Sequence, residues 1–132
     1  MQSQILNFLK KSLGYLSGEE ISQHLKISRA AVWKHIHELR EEGYDIVAVP
    51  HLGYRLISSP DKLTPGEIQF GLNTKIFGKK IYAFDSLDST MDFAFRLGTE
   101  GVPEGTVVCA EGQTKSRGRL GRSWSSPKAK GI

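Results

Sequence analysis

Apolar residues at the start of the chain recur with helical spacing. Ile5, Leu6, Leu9 and Leu13 lie on one stripe of a helix predicted from Gln2 to Leu13, and Gly14 supplies its stop. Ser17-Gly18-Glu19-Glu20 fits a capping box, in which the Ser17 hydroxyl accepts from the backbone and Glu20 reaches back. The short helix that follows buries Ile21 and Leu25. Ser28 is an N-cap residue for a third helix running to about Glu42, which Gly43 ends. At about 100° per residue, Val32, Ile36 and Leu39 share the buried face, with Trp33 packed at its flank. Ala30, Lys34, His37, Glu38 and Glu41 point the opposite way. From Tyr44 the period shortens to two: Tyr44–Val49 reads as a strand, Pro50–Gly53 as a turn, and Tyr54–Ile57 as the returning strand.

Three short helices followed by a hairpin is the order of a winged helix-turn-helix, here spanning residues 1–60. Base edges are met by the N-terminal residues of a recognition helix. Ser28, Arg29, Ala30 and Lys34 stand there, with His37 one turn on, and the small Ala30 permits close approach. Glu38, Glu41 and Glu42 repel phosphates, so only the first half of this helix is suited to DNA. Winged helices also serve as protein-binding modules, and a helix carrying both charge signs also suits plain solvation. His37 and His51 are equally readable as phosphate contacts or as surface residues. His24 and His35 have no carboxylate or cysteine to complete a metal site.

Ser58-Ser59-Pro60-Asp61 is turn-prone linker sequence. Thr64-Pro65-Gly66-Glu67 then opens a new helix, with threonine at the N-cap and proline at the first position. Lys80–Phe84 reads as a strand. Asp85–Thr90 reads as a polar turn into an apolar helix from Met91 to about Leu97, ended by Gly98. Thr106–Ala110 is a second, buried strand, followed by a glycine- and arginine-rich loop from Gln113 to Arg122. The fold class is α+β: a winged helix-turn-helix, then a mixed α/β domain over 61–132.

Composition narrows the partners. The 132 residues are 39% hydrophobic and 24% charged, as expected of a folded chain. No apolar run reaches membrane-spanning length and no leader pattern opens the chain, so the reading is cytoplasmic with no membrane partner. The single cysteine, Cys109, allows neither an internal disulfide nor a cysteine zinc cluster, and its apolar setting suits a small core hydrophobe. The net charge of +4 hints at an anionic partner, but it is unevenly placed. Residues 1–60 carry +1, residues 61–110 carry −2, and residues 111–132 carry +5. A DNA-binding reading of the first segment therefore rests on pattern. One copy with so little charge binds weakly, and specific binding calls for two copies on a two-fold site.

Two features of the second segment bear chemistry. Asp88-Ser89-Thr90 lies where a strand hands over to a helix N-terminus, which suits either a polar ligand or a plain N-cap. Arg117-Gly118-Arg119-Leu120-Gly121-Arg122 sets three guanidinium forks among glycines, a combination suited to phosphate. Such a loop repels itself until an anion draws it in. An arginine–glycine RNA-binding segment is the other reading.

These residues together resemble a known family. Asp85-Ser86-Leu87-Asp88-Ser89-Thr90, Gln113, and Arg117-Gly118-Arg119-Leu120-Gly121-Arg122-Ser123-Trp124-Ser125-Ser126-Pro127 are similar to the biotin–protein ligases. The helix ahead, Ser28-Arg29-Ala30-Ala31-Val32-Trp33-Lys34-His35-Ile36, resembles the bifunctional subgroup that also represses biotin synthesis genes. The resemblance implies that biotin and ATP, with Mg2+, give biotinyl-5′-AMP, and that biotin then passes to a lysine of the biotin carboxyl carrier protein. It implies biotin contacts from Ser89, Thr90, Met91 and Gln113, and a loop of Arg117, Gly118 and Arg119 folded over the ligand. Arg119 is the catalytic candidate. It also implies operator DNA as a partner and a ligand-dependent homodimer.

Two departures stand out: Ser116 replaces the first glycine of the loop motif, and Met91 replaces a polar residue. The family's Lys-Trp-Pro-Asn-Asp motif is absent from this sequence. Residues 61–132 are therefore expected to be the opening part of a ligase domain, inactive alone. The rival reading is a non-enzymatic winged-helix regulator that senses a small anionic ligand.

Overall fold

In the computed structural model, which describes residues 1–131, the apolar stripes become helices with capped ends. These are α1 (Gln2–Lys11), α2 (Gly18–Leu25) and α3 (Arg29–Glu41). The capping box at α2 is complete: Ser17 Oγ accepts from the Glu20 N–H at 3.0 Å, and Glu20 Oε2 accepts from the Ser17 N–H at 2.7 Å. Ser28 Oγ accepts from the Ala31 N–H at 3.1 Å and starts α3. Gly43, at φ +102°, takes the left-handed conformation just beyond the helix. One expectation fails at α1, which stops at Lys11. Leu13 lies beyond it and is fully exposed, because Ser12 is extended and carries the chain off the stripe.

Strands β1 (Asp45–Val49) and β2 (Gly53–Ser58) form the antiparallel hairpin, with an irregular register between Asp45 and Ile46. Tyr44, read as the first strand residue, lies outside β1 and is buried in the core. Ile5, Leu6, Leu9, Ile21, Val32, Ile36, Leu39, Tyr44 and Ile46 make that core. Burying a side chain of this size stabilises by about 1.5–3 kcal/mol. The wing is fastened at its base. Tyr54 and Leu16 exchange two backbone hydrogen bonds of 2.8 Å. Gly53 is required there, since at φ +110° any Cβ would run into the Leu16 carbonyl. These elements form a unit spanning Met1–Asp61.

A second unit begins at Lys62. It holds α4 (Pro65–Gln69), β3 (Ile81–Leu87), α5 (Thr90–Thr99) and β4 (Val107–Gln113). Thr64 caps α4 through the Glu67 N–H at 3.2 Å. Strands β3 and β4 are parallel, from Ile81 opposite Val107 to Leu87 opposite Gln113. Parallel pairing requires a crossover, and α5 supplies it. Its Phe93 meets Phe84 and Tyr82 edge-on, with ring centroids 4.9 and 5.6 Å away.

Three expectations are corrected here. Asp85–Leu87 continue strand β3 and are not turn. Gly98 lies inside α5, which closes at Thr99 through the Glu100 N–H. Strand β4 is half-buried throughout, because its sheet has two strands. Cys109 on it is likewise half-buried, and burial pushes its thiol pKa up.

Gly53→Ala is expected to destabilise the first unit by about 2 kcal/mol or more, from left-handed strain plus the Leu16 clash, measured by denaturant unfolding. The Ser17 N–H holds the Glu20 carboxyl below its ordinary 4.5. Its stabilisation is thus present above that value and lost as pH falls through the lower, folded one. Glu20→Gln keeps a capping geometry but cannot titrate, so the acid loss of stability should be smaller in that variant.

Candidate functional site

The first unit presents the exposed side of α3. Its core residues Val32, Ile36 and Leu39 fix the helix rotation, leaving Arg29, Ala30, Lys34 and His37 on the surface. Ser28, also exposed, is committed to its cap. A groove of about 670 Å³ runs beside Arg29 and Ala30, walled by the start of α2 and by the wing at Val49–His51. Helix start and wing therefore border one concave surface, as a groove-reading module requires.

Two side chains of α3 depart from the sequence reading. Trp33 does not pack at the flank of the core. It is 61% exposed and lies flat on the His37 ring, centroids 5.6 Å apart and planes within 5°. Glu38 is turned partly inward, with its Oε1 still 3.8 Å from Lys34 Nζ. It is half-buried, accepting from Gln2 Nε2 at 2.9 Å and lying 2.9 Å from His35 Nδ1. The His35 contact foremost holds its carboxyl below the ordinary range. The carboxylate expected to repel phosphate is thus turned toward α1. Glu41 stays exposed at the far end of the helix, 3.5 Å from His37 Nε2.

The second unit presents the carboxyl ends of β3 and β4. Because Leu87 stands opposite Gln113, the segments that follow each strand emerge side by side. Ligands of open α/β sheets bind at this edge. The two segments are stitched together. The Thr90 N–H and hydroxyl both donate to Gln113 Oε1, at 2.9 and 3.2 Å. The Thr114 hydroxyl donates to Asp88 Oδ1 at 2.6 Å, which chiefly holds the Asp88 carboxyl low, and Lys115 Nζ lies 3.6 Å from its other oxygen. Ser89 is buried and caps α5 through the Asp92 N–H at 3.3 Å. A cavity of about 570 Å³ opens over Ser89, Asp92, Arg96 and Lys115.

The arginine loop turns back on itself, with the Gly118 N–H donating to the Arg122 carbonyl at 2.6 Å. Arg119 and Arg122 are exposed, without ion-pair partners among the described residues. Arg117 differs from the expectation of three forks awaiting an anion. Its two terminal nitrogens meet the two Asp92 oxygens at 2.9 and 2.6 Å. This bidentate hydrogen bonding holds the Asp92 carboxyl low and raises Arg117. Sequence reading missed Asp92, for nothing local marks a carboxylate 25 positions before its arginine.

Of the named ligand candidates, Thr90 and Gln113 are joined directly, Ser89 adjoins them, and Arg117 reaches the same helix through Asp92. Met91 is half exposed, on a different stretch of α5 lined by Phe95 and Gly98. Among the described residues no three His, Cys, Asp or Glu side chains cluster as a metal site, and no helix is long and apolar enough to cross a membrane.

Comparison with known proteins adds to this geometry. A family model described as an HTH domain matches residues 1–55. The chain is similar to the bifunctional ligase/repressor BirA of Bacillus subtilis (strain 168), 48% identical over 118 residues. That match covers 89% of this chain and 36% of the relative. The Escherichia coli (strain K12) protein of the same name is 37% identical over 112 residues, 84% of this chain and 33% of that relative. The chain thus spans about a third of the length of the curated relatives it matches.

Asp92→Asn should release Arg117. The Arg117 guanidinium chemical shifts, followed by NMR, should show no Asp92-linked titration in that variant. In the parent chain they should move as pH falls through the depressed Asp92 value, below the ordinary 3.8.

Proposed function

We propose, on the premise that this chain belongs to the bifunctional ligase/repressor family as an N-terminal portion of it, that it joins an operator-binding unit to part of a biotin-activating site. The first unit binds the operator of biotin synthesis genes as a repressor. The second supplies part of the pocket in which the whole protein converts biotin and ATP to biotinyl-5′-AMP. From there biotin passes to a lysine of the biotin carboxyl carrier protein.

The register of β3 with β4 is the observation that carries the ligase half. It sets the Ser89–Thr90 turn and the Arg117–Arg122 loop at one sheet edge, so a small polar head and an adjoining phosphate meet donors from both. Attack of a carboxylate on an α-phosphate requires positioning and charge neutralisation more than a protein nucleophile. Arg119, exposed on the loop, is free to neutralise that phosphate. Magnesium would arrive with ATP. On the DNA side, Arg29 and Lys34 neutralise phosphates and Ala30 admits the base edges, with Ser28 and His37 beside them. Adenylate-dependent pairing of two copies would supply the affinity that a unit of charge +1 lacks.

Two measurements test the reading. Replacing both Arg29 and Lys34 by alanine should lower the steepness of log affinity against log salt by about 2 for duplex DNA. An unchanged slope would remove both residues from the interface. In the full-length protein, Arg119→Gly should speed release of biotinyl-5′-AMP. An unaltered off-rate would end its assigned role.

A further inference from the structure

We propose that Trp33 contacts bases in the major groove of duplex DNA, with its indole held in place by the His37 ring; this rests on the DNA-binding reading above. The helix gives the geometry. Arg29, Trp33 and His37 follow one another at four-residue spacing, so they form a single stripe on α3 starting at its N-terminus. The buried face of Val32, Ile36 and Leu39 prevents the indole from turning inward. It stands 61% exposed, so the indole is open to a partner that approaches this face of α3. The parallel stack on His37 restricts its motion before any partner arrives.

The surroundings select the partner. Arg29 and Lys34 flank the indole, and α3 has no carboxylate before Glu38. Glu38 itself is held by Gln2 and His35, with its other oxygen 3.8 Å from Lys34 Nζ, whose side chain stays largely exposed. An apolar ring inside a cationic rim fits an apolar base edge framed by phosphates, and the major groove offers the thymine methyl group for such contact. The residues are therefore divided in their work: Arg29 and Lys34 position the helix, and Trp33 contributes sequence preference.

Trp33 is one of two tryptophans, so Trp124→Phe leaves it as the sole indole. That chain is titrated at low salt with a dye-labelled random-sequence duplex of about 30 base pairs, long enough for two half-sites. Dye anisotropy reports binding, while indole emission and acrylamide quenching report Trp33. Emission is expected to change, and quenching to fall at least about twofold, as the DNA saturates. For the best-bound duplex drawn from a random-core pool, Trp33→Ala should weaken binding roughly tenfold at unchanged salt slope, and Trp33→Phe should recover most of it.

Rising anisotropy with unchanged indole emission and quenching would overturn the Trp33 assignment and leave the DNA reading standing. No salt-sensitive rise at all would overturn both. An indole already shielded without DNA and released on dilution would place a second copy of the chain on this face, and would likewise overturn the proposal.

Discussion

The rotation of α3 about its own axis governs the chemistry of the first unit. Val32, Ile36 and Leu39 are buried in one cluster with Ile5, Leu6, Leu9 and Ile21, at exposures of 3% or less. An interior packed to crystal-like density does not allow the helix to turn by even one residue without opening a void. Everything on the outer face follows. Ala30 and Lys34 point out because Val32 points in, and Glu38 meets Gln2 because Ile36 and Leu39 hold that side of the helix toward α1. A core of ordinary aliphatics thereby sets the order of charges on the outer surface.

In the second unit the governing choice is parallel pairing. An antiparallel hairpin would send the segments after its two strands to opposite ends. The parallel register of β3 and β4 sends them to the same end, where Asp88 receives the Thr114 hydroxyl and the Gln113 amide oxygen receives the Thr90 N–H. The crossover helix α5 starts at that edge, so its first turn contributes Ser89 and Asp92 to it. Phe93, on the same turn, anchors the helix to Tyr82 and Phe84. Packing and polar edge are thus adjacent residues of one helix.

Local chemistry was legible in the sequence where it acts over three or four residues. The caps at Ser17, Ser28 and Thr64 lie within that range, as does the buried face of α3. Trp33 escapes sequence reading because a residue about 100° from the centre of a buried face sits at its margin, where neighbours decide exposure and periodicity does not. Gly98 does not end α5 because glycine weakens a helix without ending it. The site partners were hidden by distance along the chain: Gln2 and Glu38 are 36 positions apart, and Asp92 and Arg117 are 25. Such pairs are made by topology, and one sequence read along its length does not display them.

The Asp92–Arg117 fork makes the loop selective by competition. An anion that enlists Arg117 must first displace a carboxylate already held by two short hydrogen bonds. Its apparent affinity is the intrinsic affinity scaled by the fraction of molecules in which the fork stands open. A weak singly charged anion gains little from exchanging one carboxylate for another. A phosphate, with more oxygens and more charge, would compete for the guanidinium more strongly. The internal carboxylate therefore sets a threshold that any anion competing for Arg117 would have to exceed.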